Sequence, residues 1–377
     1  MKVALVHDYL AQDGGAERVL TALHEIWPDA PIFVLFHDRA KLPQFRRAEI
    51  RESFLAKLPL GRAHYQWYLP LMPLATERHN LHDFDVVISS TSAFAKGVLT
   101  RPETLHISYC HTPTRYLWTD THEYIAELPY NMLVKVMLPR LIHRLRMWDK
   151  MSADRVDYFI ANSNTVRQRI WKYYRRDSEV IYPPVATRDF AVAPAGELGR
   201  YFVTGGRLVP YKRVDLVVWV FNRLRRPLKI FGDGPDLPRL RQLARPNIEF
   251  LGRITDLAKA ELLSRAQAFI HPQVEDCGIT PIETMASGRP VIAYGVGGAA
   301  ETVIPGETGV FFPAQTWESL LHAVLHFRAD GWDRERILEH ARQFDTDRFK
   351  TQVRRYVEDR HEEWRRGVYQ TPLPLTV

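Results

Sequence analysis

The chain has 377 residues, 46% hydrophobic and 25% charged, a composition that excludes a disordered polymer and suffices for two domains with separate cores. Its formal net charge of +7 suits anionic partners, but the arginines spread through both halves, with no zinc-finger spacing, aromatic RNA-binding signature or basic low-complexity tail, which argues against nucleic acid. No run of about eighteen apolar residues is present to cross a bilayer. The start MKVALVHDYLAQ lacks the apolar stretch and cleavage site of a secretion signal, and Cys110 and Cys277 fall in different predicted domains, so a cytoplasmic chain with reduced thiols is expected.

In chain order, short apolar runs at 3–6, 32–36, 86–89, 106–109 and 158–161 alternate with helical patterns and read as buried parallel strands. After the first strand comes Asp8, a candidate ligand group, and then Asp13-Gly14-Gly15-Ala16-Glu17-Arg18, which opens a helix running to about Trp27. Small residues at Gly14 and Gly15 permit a ligand to approach, or simply make a tight strand-to-helix turn. They do not form G-x-G-x-x-G, so a nicotinamide or flavin site loses its main support. His111, in YCHTPTRYLWTD, follows the strand at 106–109, where open parallel sheets place ligand-binding groups; Arg115, Tyr116 and Trp118 beside it are candidates for binding an acceptor. The aromatic run 64–72 and the basic stretch 138–151, with Arg140, Arg144, Arg146 and Lys150, suit either an anionic membrane surface or a core-packed helix with solvated arginines.

Pro183, Pro184 and Pro194 mark a change of character, giving a first domain at 1–187, a linker at 188–199 and a second domain at 200–347, with 348–377 beyond it. The second domain repeats the α/β pattern, with strands at 201–203, 228–231, 248–251, 268–270 and 290–293 and helices at 214–224 and 257–266. Asp83-Phe84-Asp85 and Asp345-Thr346-Asp347 have metal-binding D-x-D spacing. The first pair precedes a strand and the second starts a helix, so neither lies at a strand's C-terminal end, and no catalytic metal is expected.

The stretch VEDCGITPIETMASGRPVIAYGVGGAAE carries the chemistry: Glu275 follows a strand, Glu283 lies on the next helix, and the backbone at Gly278, Ile279 and Thr280 offers N–H donors at the helix start. A polyhydroxylated, anionic ligand fits this arrangement. Upstream, Gly205-Gly206-Arg207-Leu208 with Lys212 supplies two cations able to neutralise a diphosphate, and Gly297-Gly298 forms a further turn before a helix. Each piece alone is consistent with an ordinary turn or a solvated carboxylate.

In this order and spacing, the pieces resemble the paired-glutamate motif of the retaining family 4 glycosyltransferases, covering most of the chain and densest over 201–305. The resemblance implies the GT-B fold, two doubly wound Rossmann-like domains facing across a cleft, with the C-terminal helix returning to the first. It implies sugar transfer from a nucleotide sugar, with His111, Arg207, Lys212 and Glu275 at the reacting centre. Arg207, Lys212 and the amides at Gly14 and Gly15 would hold the diphosphate, Glu283 the ribose, and Glu275 with the backbone of Cys277 and Gly278 the sugar. Arg253 and Ile254, in FLGRI, resemble the loop beside the nucleobase. HDYL…GGAERVL with YCHTPTRYLW resembles bacterial mannosyltransferases of the WbaZ type, which implies GDP-mannose as donor; the basic stretch 138–151 suits a polyprenyl-diphosphate-linked saccharide acceptor at an anionic membrane surface, the inner face of the plasma membrane. No cofactor beyond the donor is expected. E-D-C-G departs from the common E-x-F-G by placing Cys277 where an aromatic residue stands. The alternatives are a UDP-sugar donor and a non-catalytic saccharide- or membrane-binding protein on the same fold.

Overall fold

The structure is a computed structural model that describes residues 1–12, 14–59, 65–119, 121, 132–190, 192–194 and 196–370. The chain divides into two compact units: residues 1–182 together with those from 349 onward, and residues 183–348.

The first unit is built on seven parallel strands: β1 (Val3–His7), β2 (Ile32–Val34), β3 (Ile50–Glu52), β4 (Val86–Thr91), β5 (Leu105–Cys110), β6 (Tyr158–Ala161) and β7 (Ser178–Val180), ordered β3-β2-β1-β4-β5-β6-β7. Side chains alternate across a strand, so Leu5 and Ile88 enter one apolar cluster while Ala4, Val6 and Val87 enter another. Burial on both faces explains why these strands read as unbroken apolar runs. The helix Gly15–Ile26 lays Val19, Leu20, Leu23 and Ile26 on the first cluster. The C-terminal helix Thr346–Gln370 adds Phe349, Val353 and Val357, spaced by four along one face, and is tied down by an ion pair from Lys350 to Glu25 and by Trp364 Nε1 donating to the Glu103 carbonyl at 3.1 Å.

The basic stretch 138–151 lies in the helix Met132–Ala153, whose inner side is anchored by a buried charge. Asp149 accepts hydrogen bonds from Lys96 Nζ at 2.5 Å, Thr114 Oγ1 at 2.9 Å, Trp118 Nε1 at 2.7 Å and Tyr174 OH at 2.8 Å. The ion pair is stable there because every oxygen of the buried carboxylate has donors. On the outer side, Met137, Arg140, Arg144, Met147 and Met151 are exposed, at the three- and four-residue spacing of a single helical face. His64, at the start of the aromatic run, lies outside the described residues; Trp67 is exposed.

The second unit has six parallel strands, β8 (Phe202–Arg207), β9 (Leu228–Asp233), β10 (Ile248–Gly252), β11 (Phe269–His271), β12 (Val291–Tyr294) and β13 (Gly309–Phe312), ordered β10-β9-β8-β11-β12-β13. The helices Val214–Leu224 and Trp317–His326 pack Val217, Val220, Phe221, Leu320 and Val324 against Phe202, Ile230, Ile270 and Ile292.

Three features differ from the sequence expectation. The short edge strands β3, β7 and β13 are additional; β3 and β7 have three residues each and no fully buried position, too little for an apolar period to register. Gly205-Gly206 is not a turn, for both glycines and Arg207 continue β8 in register with Phe231, Gly232 and Asp233. The stretch 188–199 is packed onto the second unit: Phe190 lies under Lys259 and Gly199 N donates to the Arg265 carbonyl at 2.8 Å.

Phe349 is buried against Tyr109, with ring centroids 5.8 Å apart. Phe349→Ala is therefore expected to lower stability by about 3–5 kcal/mol, read as a lower urea midpoint. An unchanged midpoint would show that the C-terminal helix does not seal the first core.

Candidate functional site

In each sheet the strand order reverses once, between β1 and β4 in the first unit and between β8 and β11 in the second. Crossovers leave such a point in opposite directions and open a crevice at the strands' C-terminal ends.

At the first reversal His7 stands in register with Ser90. His7 Nδ1 lies 3.1 Å from both the carbonyl and the hydroxyl of Ser90, and the same hydroxyl is 2.9 Å from Nε2 of His111. Behind His7, the Glu17 carboxylate is 3.8 Å from Nε2. Glu17, His7, Ser90 and His111 thus form one polar chain ending at the predicted histidine. Burial, reinforced by the neighbouring His7, pushes the His111 pKa down to about 3. It is a neutral imidazole at physiological pH, with Nε2 bonded to Ser90; Asn162 Nδ2 donates to its carbonyl at 2.8 Å. Gly14 and Gly15 begin the helix Gly15–Ile26 without a side-chain cap, leaving first-turn amides for an anion.

Two acceptor candidates are engaged elsewhere. Both oxygens of Asp8 are taken by the amides of Ser92, Ala93, Phe94 and Ala95 at 2.7–2.9 Å, so this buried carboxylate organises the loop after β4 and has no open lone pair for an acceptor. Trp118 donates to Asp149 and stacks on Tyr173, with centroids 4.9 Å apart, which makes it part of the buried network. Arg115 and Tyr116 are half-buried on the short helix Arg115–Trp118.

At the second reversal Lys212 Nζ and Glu275 Oε1 pair at 2.7 Å, both largely shielded from solvent. Arg207, the last residue of β8, is exposed and has no side-chain partner among the described residues. The Glu275 loop is shaped by the turn at Gly297-Gly298: Gly298 N donates to the Glu275 carbonyl at 2.8 Å, and a Cβ on Gly298 would collide with the backbone of Asp276 and Cys277. The helix Ile279–Ala286 begins at Gly278 in a left-handed conformation (φ 81°) with no side-chain cap, so the amides from Ile279 and Thr280 onward are presented to a ligand. Burial pushes the Cys277 thiol well above its usual range, which makes it a packing residue and a poor nucleophile.

Glu283 is more enclosed than an open ribose ligand would be. It is 2% exposed, and Lys259 Nζ, which also reaches Asp256 at 2.9 Å, holds its Oε1 at 2.8 Å. Arg253 is exposed and paired with Asp233 at 3.2 Å, next to half-buried Ile254. His271, at the end of β11 beside Gly278, has neither ring nitrogen hydrogen-bonded among the described residues, and burial lowers its pKa to about 4. Sequence reasoning did not single out Lys259, His7, Ser90 or His271. The polar run Ser89-Ser90-Thr91 closing an apolar strand and the lone lysine in LAKAELL were the available signals.

Residues 13–189 match the model described as Glycosyltransferase Family 4, and residues 187–344 the model described as Glycosyl transferases group 1. The chain belongs to the family 4 glycosyltransferases. A GDP-mannose-dependent alpha-mannosyltransferase of Mycolicibacterium smegmatis is 36% identical over 127 residues, 33% of this chain and 34% of that protein. The D-rhamnosyltransferase WbpZ of Pseudomonas aeruginosa is 29% identical over 198 residues, 48% of this chain and 50% of that protein. The chain thus spans from 34% to 50% of the length of these two curated relatives. Among solved structures, Anabaena HepE in complex with UDP superposes with a TM-score of 0.71 at 17% identity, covering 95% of this chain and 100% of that one. At that identity the likeness establishes the fold, which is GT-B.

Removing Lys259 from this family 4 protein takes a cationic partner away from a buried carboxylate, so Lys259→Met is expected to cost up to about 3–5 kcal/mol, with Glu283→Gln in the same chain restoring part of it. Urea unfolding of the single and double variants checks this. A Lys259→Met chain as stable as the wild type would show that the pair is not what fixes Glu283.

Proposed function

We propose that the protein transfers a hexose, with retention of configuration, from a nucleotide sugar to a saccharide acceptor in the assembly of a bacterial surface polysaccharide. GDP-mannose is the donor and a polyprenyl-diphosphate-linked saccharide the acceptor. The observation that carries this reading is the Lys212–Glu275 pair at the second reversal, with Arg207 closing β8 and the helix Ile279–Ala286 starting uncapped, a cation, carboxylate and amide set suited to a sugar diphosphate. The GDP-mannose-dependent relative and the WbaZ-like N-terminal pattern support the choice of donor.

Arg207 and Lys212 take up the charge that develops on the departing diphosphate, the work a metal ion does in other transferases. Lys259 fixes the Glu283 carboxylate to accept ribose hydroxyls, Arg253 and Ile254 flank the base, and Glu275 turns from Lys212 toward a sugar hydroxyl. The bond from the anomeric carbon to the phosphate oxygen breaks as the bond to the acceptor oxygen forms on the same face, and the acceptor proton passes to the leaving phosphate. His111, neutral and oriented through Ser90, bonds the sugar without serving as nucleophile. A retained anomer formed from GDP-mannose in EDTA, with Arg207→Ala lowering kcat/KM by about 10²-fold, is the expected outcome of a coupled assay with proton NMR of the product. An inverted product would contradict the mechanism, and turnover only with UDP-sugars would overturn the donor.

A lipid-linked acceptor agrees with the exposed stripe of Met137, Arg140, Arg144, Met147 and Met151, which joins apolar and basic groups on one helical face. Among the described residues no helix is long and apolar enough to cross a membrane. In flotation assays the wild type should bind anionic vesicles in a salt-sensitive way, and Met147→Asp with Met151→Asp should abolish that binding while donor affinity is kept. Equal flotation of both chains would remove this surface from the account.

A further inference from the structure

The solvent side of the helix Val214–Leu224 carries a cavity of about 660 Å³ that none of the donor-site residues lines. That volume falls within the range of small-ligand sites. Trp219, Asn222 and Arg223 reach it from one face of the helix, and Trp219 is 57% exposed, costly for an indole with nothing to cover it. Trp317, from the start of the helix Trp317–His326, lines the same space, with the Arg223 guanidinium 5.3 Å from the centre of its ring. Arg213 and Arg225, at the two ends of the helix Val214–Leu224, both hold left-handed backbone (φ 52° and 58°), which costs an L-residue roughly 1–2 kcal/mol. Arg245 completes the lining.

The charges do not cancel. Asp215 is the one carboxylate in the lining, and Arg213 already holds it at 3.2 Å. Arg223, Arg225 and Arg245 have no carboxylate partner among the described residues. The Asn222 amide is spent on the frame, donating to the Leu243 carbonyl at 2.7 Å and accepting from Arg245 N at 2.9 Å.

We infer that this cavity binds an acidic saccharide. Planar guanidinium groups match carboxylates in a two-point fork, and the electron-rich face of an indole attracts the polarised C–H face of a pyranose ring. A nucleotide is the poorer match, because the single carboxylate that would read its ribose is taken. The inference does not rest on the donor assignment. It adds a second point of attachment, where an anionic glycan is held while chemistry proceeds at Lys212 and Glu275.

The test is calorimetric titration of the full chain with tetragalacturonate and with neutral mannotetraose, each with and without GDP. Tetragalacturonate should bind at least about tenfold more tightly than mannotetraose, weaken as salt rises, and be unaffected by GDP. Trp219→Ala and Arg225→Asn should each weaken it by about tenfold or more; asparagine tolerates the left-handed backbone, so the second variant removes charge and spares the fold. Equal affinity for the two saccharides, affinity unchanged in both variants, displacement by GDP, or displacement by an equal concentration of inorganic phosphate would each overturn the inference.

Discussion

Parallel strand pairing is the constraint on which the rest of this protein depends. Every observed pairing in both sheets is parallel, so consecutive strands need crossovers and all C-terminal ends emerge on one edge of each sheet. Where the order reverses, no crossover covers that edge. His7, Ser90 and His111 gather at one such gap, and Arg207, Lys212, Glu275 and His271 lie around the other. The polar groups are placed by topology before any side-chain preference acts.

Charge within the fold is handled in two ways. Asp149 and Glu283 are buried and have cationic partners, and Asp8 is buried and satisfied by four backbone amides. A buried carboxylate without such partners would be uncharged or destabilising. Arg207, by contrast, is left open at the strand end, and Lys212 is balanced by one carboxylate in a partly exposed position. Fully satisfied charges hold loops and helices in place, and incompletely satisfied ones are available to an anionic ligand.

Much of this was legible in the sequence, for reasons that also set its limits. β1, β4, β5, β6 and the inner strands of the second unit are buried on both faces and read as apolar runs, and Val214–Leu224 carries a clear helical period. β3 and β7 are three-residue edge strands whose exposed positions interrupt any pattern. Gly205-Gly206 resembles a turn because glycine usually marks one, yet here it lets β9 come close enough for the ladder to continue. The motif around Glu275 and Glu283 was visible through local spacing. Lys259 as the partner of Glu283, Ser90 as the link between His7 and His111, and Asp149 as the acceptor of Trp118 are products of tertiary packing that no local pattern encodes.

The proposed transfer requires the second unit to bind a nucleoside diphosphate at Arg207, Lys212 and the start of the helix Ile279–Ala286. The most direct measurement is calorimetric titration of EDTA-treated protein with GDP, UDP and ADP, with Lys212→Ala alongside. Saturable binding of one of these nucleotides, GDP foremost, is expected, weakened by about tenfold or more in the variant. No nucleotide bound, or equal affinity in the two chains, would contradict it.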